Sequence, residues 1–169
     1  MANAKIIALL TDFGQGEYVG EVKGVIKAIA PASEIIDLSH GVQPYNPRHG
    51  AFLLLSSYSF FPKGTVFVCV VDPGVGTSRK PIAIKTKNHF FVGPDNGLLW
   101  PAAEHDGVME ARELSNKKYR LARVSNTFHG RDVFSPAGAH LANGINFQLF
   151  GKRITPEKLE LITDRKSVV

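Results

Sequence analysis

Two kinds of hydrophobic run alternate along the chain. The first kind is short, of strand length: Lys5–Leu10 (KIIALL), Glu34–Leu38 (EIIDL) and, unbroken, Val66–Val71 (VFVCVV). The last of these, apolar without alternation, predicts a strand buried on both faces, the habit of parallel sheets. The second kind has helical spacing, with Val19, Val22, Val25, Ile26 and Ile29 recurring between Glu17 and Ile29 and Pro31 closing the segment. A second helix is predicted from Asn46 as cap and Pro47 at the first helical position, through AFLLLSSYSFF to Pro62.

After Arg79 the pattern gives two short strands, PIAIKTK and HFFVG, separated by a turn at Asn88. Pro94–Gly97 then forms a tight turn into LLWPAAEH, one or two turns of helix. Between Val108 and Arg123 one or two strands flank the polar loop SNKKY, and DVFSPAGAHLANG reads as a helix of small and apolar residues with Gly144 as its end signal. From Ile145 the signal fades. The alternation predicts an α/β fold, a mostly parallel, doubly wound sheet with helices on both faces. Residues 1–155 form the domain, and 156–169 are a linker or the start of a further element.

Two of the buried strands end on a carboxylate followed by glycine turns: Asp12 in TDFG and Asp72 in DPGVGTSR. Ligands in open α/β sheets lie at the carboxyl edge of the strands, so both residues are candidates for a site, with the loop SNTFHGRD bringing His129 to the same edge.

Composition narrows the possibilities. A chain of 169 residues with 44% apolar and 21% charged residues is enough for one globular core. The formal charge of +5 is scattered over Lys85, Lys87, Lys117, Lys118, Arg120, Lys152 and Arg153 with no run of five, so nucleic acid is not an expected partner. The single cysteine, Cys69, lies within an apolar strand and reads as core. No apolar run approaches the roughly eighteen residues of a membrane span, and MANAKIIALLTDFG leads directly into a strand, so a cytoplasmic protein without a membrane partner is expected.

Three chemistries compete. Gly14, Gly16 and Gly20 with Asp37 imitate a dinucleotide fingerprint, but the spacing is one residue too long and Asp12 would repel a pyrophosphate. The six histidines, at 40, 49, 89, 105, 129 and 140, show neither H-x-H nor H-E-x-x-H, so no metal is expected. The third reading is water activation by Asp72, Arg79 and His129, in which the imidazole takes a proton, the carboxylate orients it and the guanidinium favours hydroxide.

The segments TDFG (11–14), YVGEVKGVI (18–26), FPKGTVFVCVVDPGVGTSR (61–79), FVGPDNGLL (91–99) and TFHGRDVFSPAGAHLA (127–142) resemble the S-adenosyl-L-methionine hydroxide adenosyltransferase family, related to fluorinating and chlorinating enzymes. The likeness runs from about Lys5 to about Ile154. It implies hydrolysis of S-adenosyl-L-methionine to adenosine and L-methionine, with that compound as substrate and no cofactor. It assigns Asp12 to the ribose hydroxyls and Asp72, Arg79 and His129 to water activation, with Phe13, Asn96 and Phe128 as further substrate-binding residues. Phe13, Phe128 and Trp100 offer rings on which adenine could stack, although core packing is the plainer role for each. The halogenating relatives lack this Asp, Arg and His set and use a small hydroxyl-lined pocket, so halide transfer is the lesser alternative. The resemblance also implies a homotrimer and a C-terminal β-barrel, before which this chain stops. A chain with these motifs but no barrel reads alternatively as a non-catalytic adenosine-binding or assembly module, or as half of an enzyme completed in trans.

Overall fold

The computed structural model describes residues 5–162. Seven strands form one sheet: β1 (Ile6–Thr11), β2 (Glu34–Ser39), β3 (Val66–Val70), β4 (Pro81–Thr86), β5 (Phe90–Pro94), β6 (Val108–Glu113) and β7 (Arg153–Ile154). They lie in the order β2-β1-β3-β5-β4-β6-β7. Helices α1 (Glu17–Ile29), α2 (Pro47–Ser57), α3 (Trp100–Asp106) and α4 (Ser135–Ala142) cover it. On one face Val22 and Ile26 of α1 and Ala137 and Leu141 of α4 meet Ile7, Leu9, Val66, Val68 and Val70. On the other, Leu54 of α2 and Ala102 of α3 meet Ala8, Leu10, Phe67, Cys69 and Ile82. All five residues of β3 are buried, which is why its sequence carries no alternation.

The α/β class follows the hydrophobic pattern, and the sheet divides into two halves. Strands β2, β1, β3 and β5 are parallel. Strands β4, β6 and β7 run antiparallel to their neighbours. The turn between β4 and β5 is too short for a crossover and can only close a hairpin. Helix α2 begins as predicted, with Asn46 Oδ1 accepting the His49 N–H at 3.1 Å and Pro47 following it. Past Ile154 the chain makes a short 3₁₀ turn at Pro156–Lys158 and buries Leu159 against the domain. Residues 163–169 of the expected linker lie outside the described residues.

The chain order places a switch point between β1 and β3. From β1 the chain crosses through α1 to β2 on one side, and from β2 it returns through α2 to β3 on the other. The loops leaving β1 and β3 therefore diverge, and the crevice between them is where such sheets hold ligands.

His89 lies away from this crevice and is only 4% exposed, its ring edge-on to Tyr58 and Phe67. Burial holds it below the ordinary histidine value, although the Asp106 carboxylate pulls the other way. His129 and His140 are depressed as well, burial leading in each. The unfolded chain then takes up protons first as pH falls, so these groups contribute full stability above the unfolded value of about 6.5 and lose it below. The unfolding temperature should fall as pH drops from about 6.5 towards 5, with a shallower fall in His89→Gln; an identical slope in that variant would remove His89 as a contributor.

Candidate active site

Asp12 and Asp72 leave adjacent parallel strands at the crevice. Thr11 of β1 is paired with Val70 of β3, so the carboxylates follow their strands by one and two residues. Two bonds to the loop after β2 fix the Asp12 turn: Thr11 Oγ1 meets His40 Nδ1 at 2.8 Å, and the Gly14 N–H donates to the His40 carbonyl at 2.9 Å. Asp12 Oδ2 accepts the Tyr45 N–H at 2.9 Å.

Asp72 and Arg79 form a bidentate pair, Nε to Oδ1 at 2.9 Å and Nη2 to Oδ2 at 2.5 Å. Their side chains are 6% and 7% exposed. The guanidinium lies over the Phe134 ring, 5.4 Å from its centre, and Nη2 also contacts His129 Nδ1 at 3.0 Å. Arginine nitrogens only donate, so Nδ1 is the acceptor and the imidazole proton is on Nε2. His129 is thus neutral and offers a donor. Burial and the positive charges of Arg79 and Arg120 hold it below the ordinary value, and a second proton at Nδ1 would face the guanidinium directly. Burial pushes the Asp72 carboxyl up, with Asp12 adding to the rise and Arg79 opposing it. Arg79 Nη1 is buried with no hydrogen-bond partner among the described residues.

The loops are locked together. Gly76 has φ +78°, and a Cβ there would lie 2.5 Å from the Asn126 carbonyl oxygen. Only glycine allows this approach between the loop carrying Asp72 and Arg79 and the loop carrying His129. On the second loop, buried Asp132 accepts the Ser125 N–H at 2.8 Å and Arg131 Nε at 2.7 Å. His129 itself precedes a π-type turn, Gly130–Phe134, that leads into α4. Such turns interrupt regular helices most often at functional positions.

A cavity of about 650 Å³ opens here, lined by Asp12, Phe13, Asp72, Phe128 and His129 together with Tyr18, Tyr45, Ser125 and Arg131. Phe13, Tyr18 and Phe128 pack edge to face, with centroids 5.0–6.4 Å apart. Of the residues expected at the site, Asp12, Phe13, Asp72, Phe128 and His129 meet at this cavity, and Arg79 backs it through Asp72 and His129. Asn96 does not line it: its amide donates to the Val71 carbonyl at 2.9 Å, and its Oδ1 accepts the Leu98 N–H. Trp100 lies in a different hollow, beside Leu159. Gly14, Gly16 and Gly20 border a separate shallow depression, and Asp37 is engaged by Lys23 at 2.6 Å. Among the described residues no three His, Cys, Asp or Glu side chains converge as metal ligands. Sequence reasoning missed Tyr18, Tyr45 and Arg131; of these, Tyr18 opened the YVGEVKGVI segment and Arg131 lay within TFHGRD, whereas Tyr45 lay outside the quoted segments.

Residues 7–151 match the SAM hydroxide adenosyltransferase N-terminal domain. The chain belongs to this family. It is 44% identical over 161 residues to a protein of Salinispora arenicola named (R)-S-adenosyl-L-methionine hydrolase, covering 94% of this chain and 61% of that protein. A protein of the same name from Methanocaldococcus jannaschii is also 44% identical, covering 80% of this chain and 52% of its own length. A fluorinase of Actinoplanes is 29% identical and covers 91% and 60%. The crystal structure of an uncharacterized conserved protein from Thermotoga maritima superposes with TM-score 0.91 at 47% identity, covering 95% of this chain and 62% of that one. The chain thus spans about three-fifths of the first of these curated relatives, 61% of its length.

Removing one member of a buried ion pair strands the other. Asp72→Ala should destabilise the fold by about 3 kcal/mol in urea unfolding, whereas a change below about 1 kcal/mol would show that Arg79 finds other partners. Gly76→Ala should also lower stability, by about 1 kcal/mol or more, through its left-handed backbone and the contact with Asn126.

Proposed function

We propose that this chain hydrolyses S-adenosyl-L-methionine to adenosine and L-methionine, water attacking C5′ in line with the bond to sulfur. The observation that carries the reading is the buried Asp72–Arg79 pair with half-buried His129 against it, beside Asp12 at the switch-point cavity. Water's oxygen bonds to C5′ as the C5′–S bond breaks, and the sulfonium leaves as a neutral thioether that needs no acid. One proton must be lost from the nucleophile. Asp12 is assigned to the ribose hydroxyls, and Phe13 and Phe128 provide the apolar wall. No cofactor is needed, because S-adenosyl-L-methionine is itself the substrate.

Within this reading His129 holds rather than deprotonates. Its Nδ1 lone pair is committed to Arg79, and its Nε2–H, which the Ser125 backbone also approaches, is the donor it can offer to the nucleophilic oxygen. The guanidinium favours hydroxide over water, and Asp72, raised by burial, is the group of the set able to take the proton. Positioning of this kind contributes on the order of 7 kcal/mol when the reacting atoms are well aligned.

A homotrimer and cytoplasmic residence belong to the same proposal. Tyr18 and Tyr45 at the cavity mouth are 49% and 76% exposed, which supports cover by another chain. Among the described residues no helix is long and apolar enough to cross a membrane. The whole-length relatives are named as hydrolases, and the fluorinase likeness is weaker, at 29% identity.

The test is incubation of the purified chain with S-adenosyl-L-methionine, following adenosine and methionine by chromatography. Both should appear, without 5′-chloro-5′-deoxyadenosine when chloride is added; no adenosine, or the chlorinated nucleoside, overturns the reading. His129→Ala should lower kcat by about a hundredfold while KM changes little. His129→Asn, whose Oδ1 can replace Nδ1 as acceptor for Arg79, should retain clearly more activity than His129→Ala; equal loss in both would restore His129 as the base. The rate should fall only on the acid side of the ordinary histidine value of about 6.5, because burial and the charges of Arg79 and Arg120 keep His129 neutral to lower pH.

A further inference from the structure

The loop from Asp72 to Arg79 is gripped at both ends by a single turn. Asn96 Nδ2 donates at 2.9 Å to the carbonyl of Val71, the residue before Asp72. The N–H of Asp95 donates at 2.9 Å to the carbonyl of Lys80, the residue after Arg79. The turn is in turn tied to residues 159–162, the exit segment with which the described residues end. Asp95 is 8% exposed, and its Oδ1 accepts the Glu160 N–H at 2.9 Å. Gly97 has φ +87°, and a Cβ there would lie 2.6 Å from Ile162 Cγ1 and 2.9 Å from Ile162 N. No other residue type would let the exit segment approach this closely without displacement.

These bonds link three elements in series: exit segment 159–162, turn 94–97, and the ends of the loop whose two charges form the buried pair. We infer that Asp95 and Asn96 are positioning residues, setting the separation of Asp72 and Arg79 and coupling it to the docked exit segment. Asn96, expected to bind substrate, acts instead through the loop. Substituent shifts of about 1 Å at a reacting pair can cost a hundredfold in rate, so a clamp on both ends of one loop is a sensitive control. The inference rests on the proposed hydrolysis only for its kinetic consequence.

Asn96→Asp keeps the side chain's shape and the acceptor for the Leu98 N–H while removing the donor to Val71. Below its melting temperature this variant should lose about tenfold or more in kcat with KM within about threefold, the signature of lost transition-state positioning. Independently of activity, the Arg79 Nε–H resonance should exchange with solvent at least about tenfold faster than in the wild type, because its bond to Asp72 opens more often. Glu160→Pro removes the donor from the exit segment and leaves the turn's sequence intact. Leu159, at φ −77° and ψ 143°, already has the extended backbone that precedes a proline. This variant should move both readouts in the same direction, and it carries the test if Asn96→Asp does not fold. Unchanged exchange at Arg79 in folded Glu160→Pro overturns the coupling, and unchanged exchange in folded Asn96→Asp overturns the clamp. A wild-type chain without turnover would count against hydrolysis alone, since the exchange measurement still decides the clamp.

Discussion

The bidentate pair between Asp72 and Arg79 is the constraint on which the crevice depends. Burying two charges costs several kcal/mol per ion, and their attraction offsets this only where the geometry is good and the remaining donors are engaged. Here Nε and Nη2 are both on the carboxylate, Nη2 is shared with His129, and the face of the guanidinium rests on Phe134, while Nη1 is buried without a partner among the described residues, so the condition is met only in part. Such a pair is poor evidence of added stability. It does fix direction: a planar fork held at two points leaves its remaining edge pointing one way. Loop 72–79, the His129 loop and the start of α4 are all arranged around that plane.

The second constraint is electrostatic. Asp12 and Asp72 stand close enough that Asp12 raises Asp72, a repulsion the fold accepts because β1 and β3 are adjacent and in register. Of the arginines here, Arg131 is already engaged by Glu21 and Asp132 and Arg79 is paired with Asp72, which leaves Asp12 without an arginine partner among the ion pairs of the described residues. A cavity with this balance favours a cation. The sulfonium of S-adenosyl-L-methionine is one, and it loses its charge as the bond to C5′ breaks. In the proposed hydrolysis the product would therefore gain less from the carboxylates than the substrate does, which would help it leave.

Much of this architecture was legible in the sequence, for physical reasons that differ by element. Helix α1 was found to the residue because its apolar positions keep helical spacing and glycine and proline bound it. Strand β3 was legible because both its faces are buried, so an unbroken apolar run was the only pattern available. Asp12 and Asp72 were legible because a carboxylate directly after such a run has one natural location. The antiparallel half of the sheet was not, since PIAIKTK and HFFVG look alike whichever way they pair and only the short turn at Asn88 decides. The bond from the Tyr45 N–H to Asp12 was invisible because backbone donors carry no residue code. That Asn96 lies away from the cavity was hidden for a related reason. Its motif marks it as special, but its amide points at a carbonyl 25 positions earlier, and nothing local says whether a special turn touches substrate or holds a neighbour.

The same set also bears on which nucleophile suits this crevice, a question the kinship with fluorinases raises. Water and halide make opposite demands. Water must lose a proton on becoming a nucleophile, so a basic carboxylate nearby lowers the barrier. A halide has no proton to lose, must shed its hydration, and meets the same carboxylate only as repulsion, which grows as the site dries. Asp72 is 6% exposed and adjoins a second acid, an arrangement that penalises any anion brought in from solvent. A hydroxide generated in place avoids that entry cost, because the negative charge appears on oxygen as the proton moves to a carboxylate that burial has already made more basic. The charge within the set is rearranged rather than increased, and Arg79 faces it in both states. That distinction, between importing an anion and forming one, is the physical reason the Asp72–Arg79–His129 set suits the proposed attack by water.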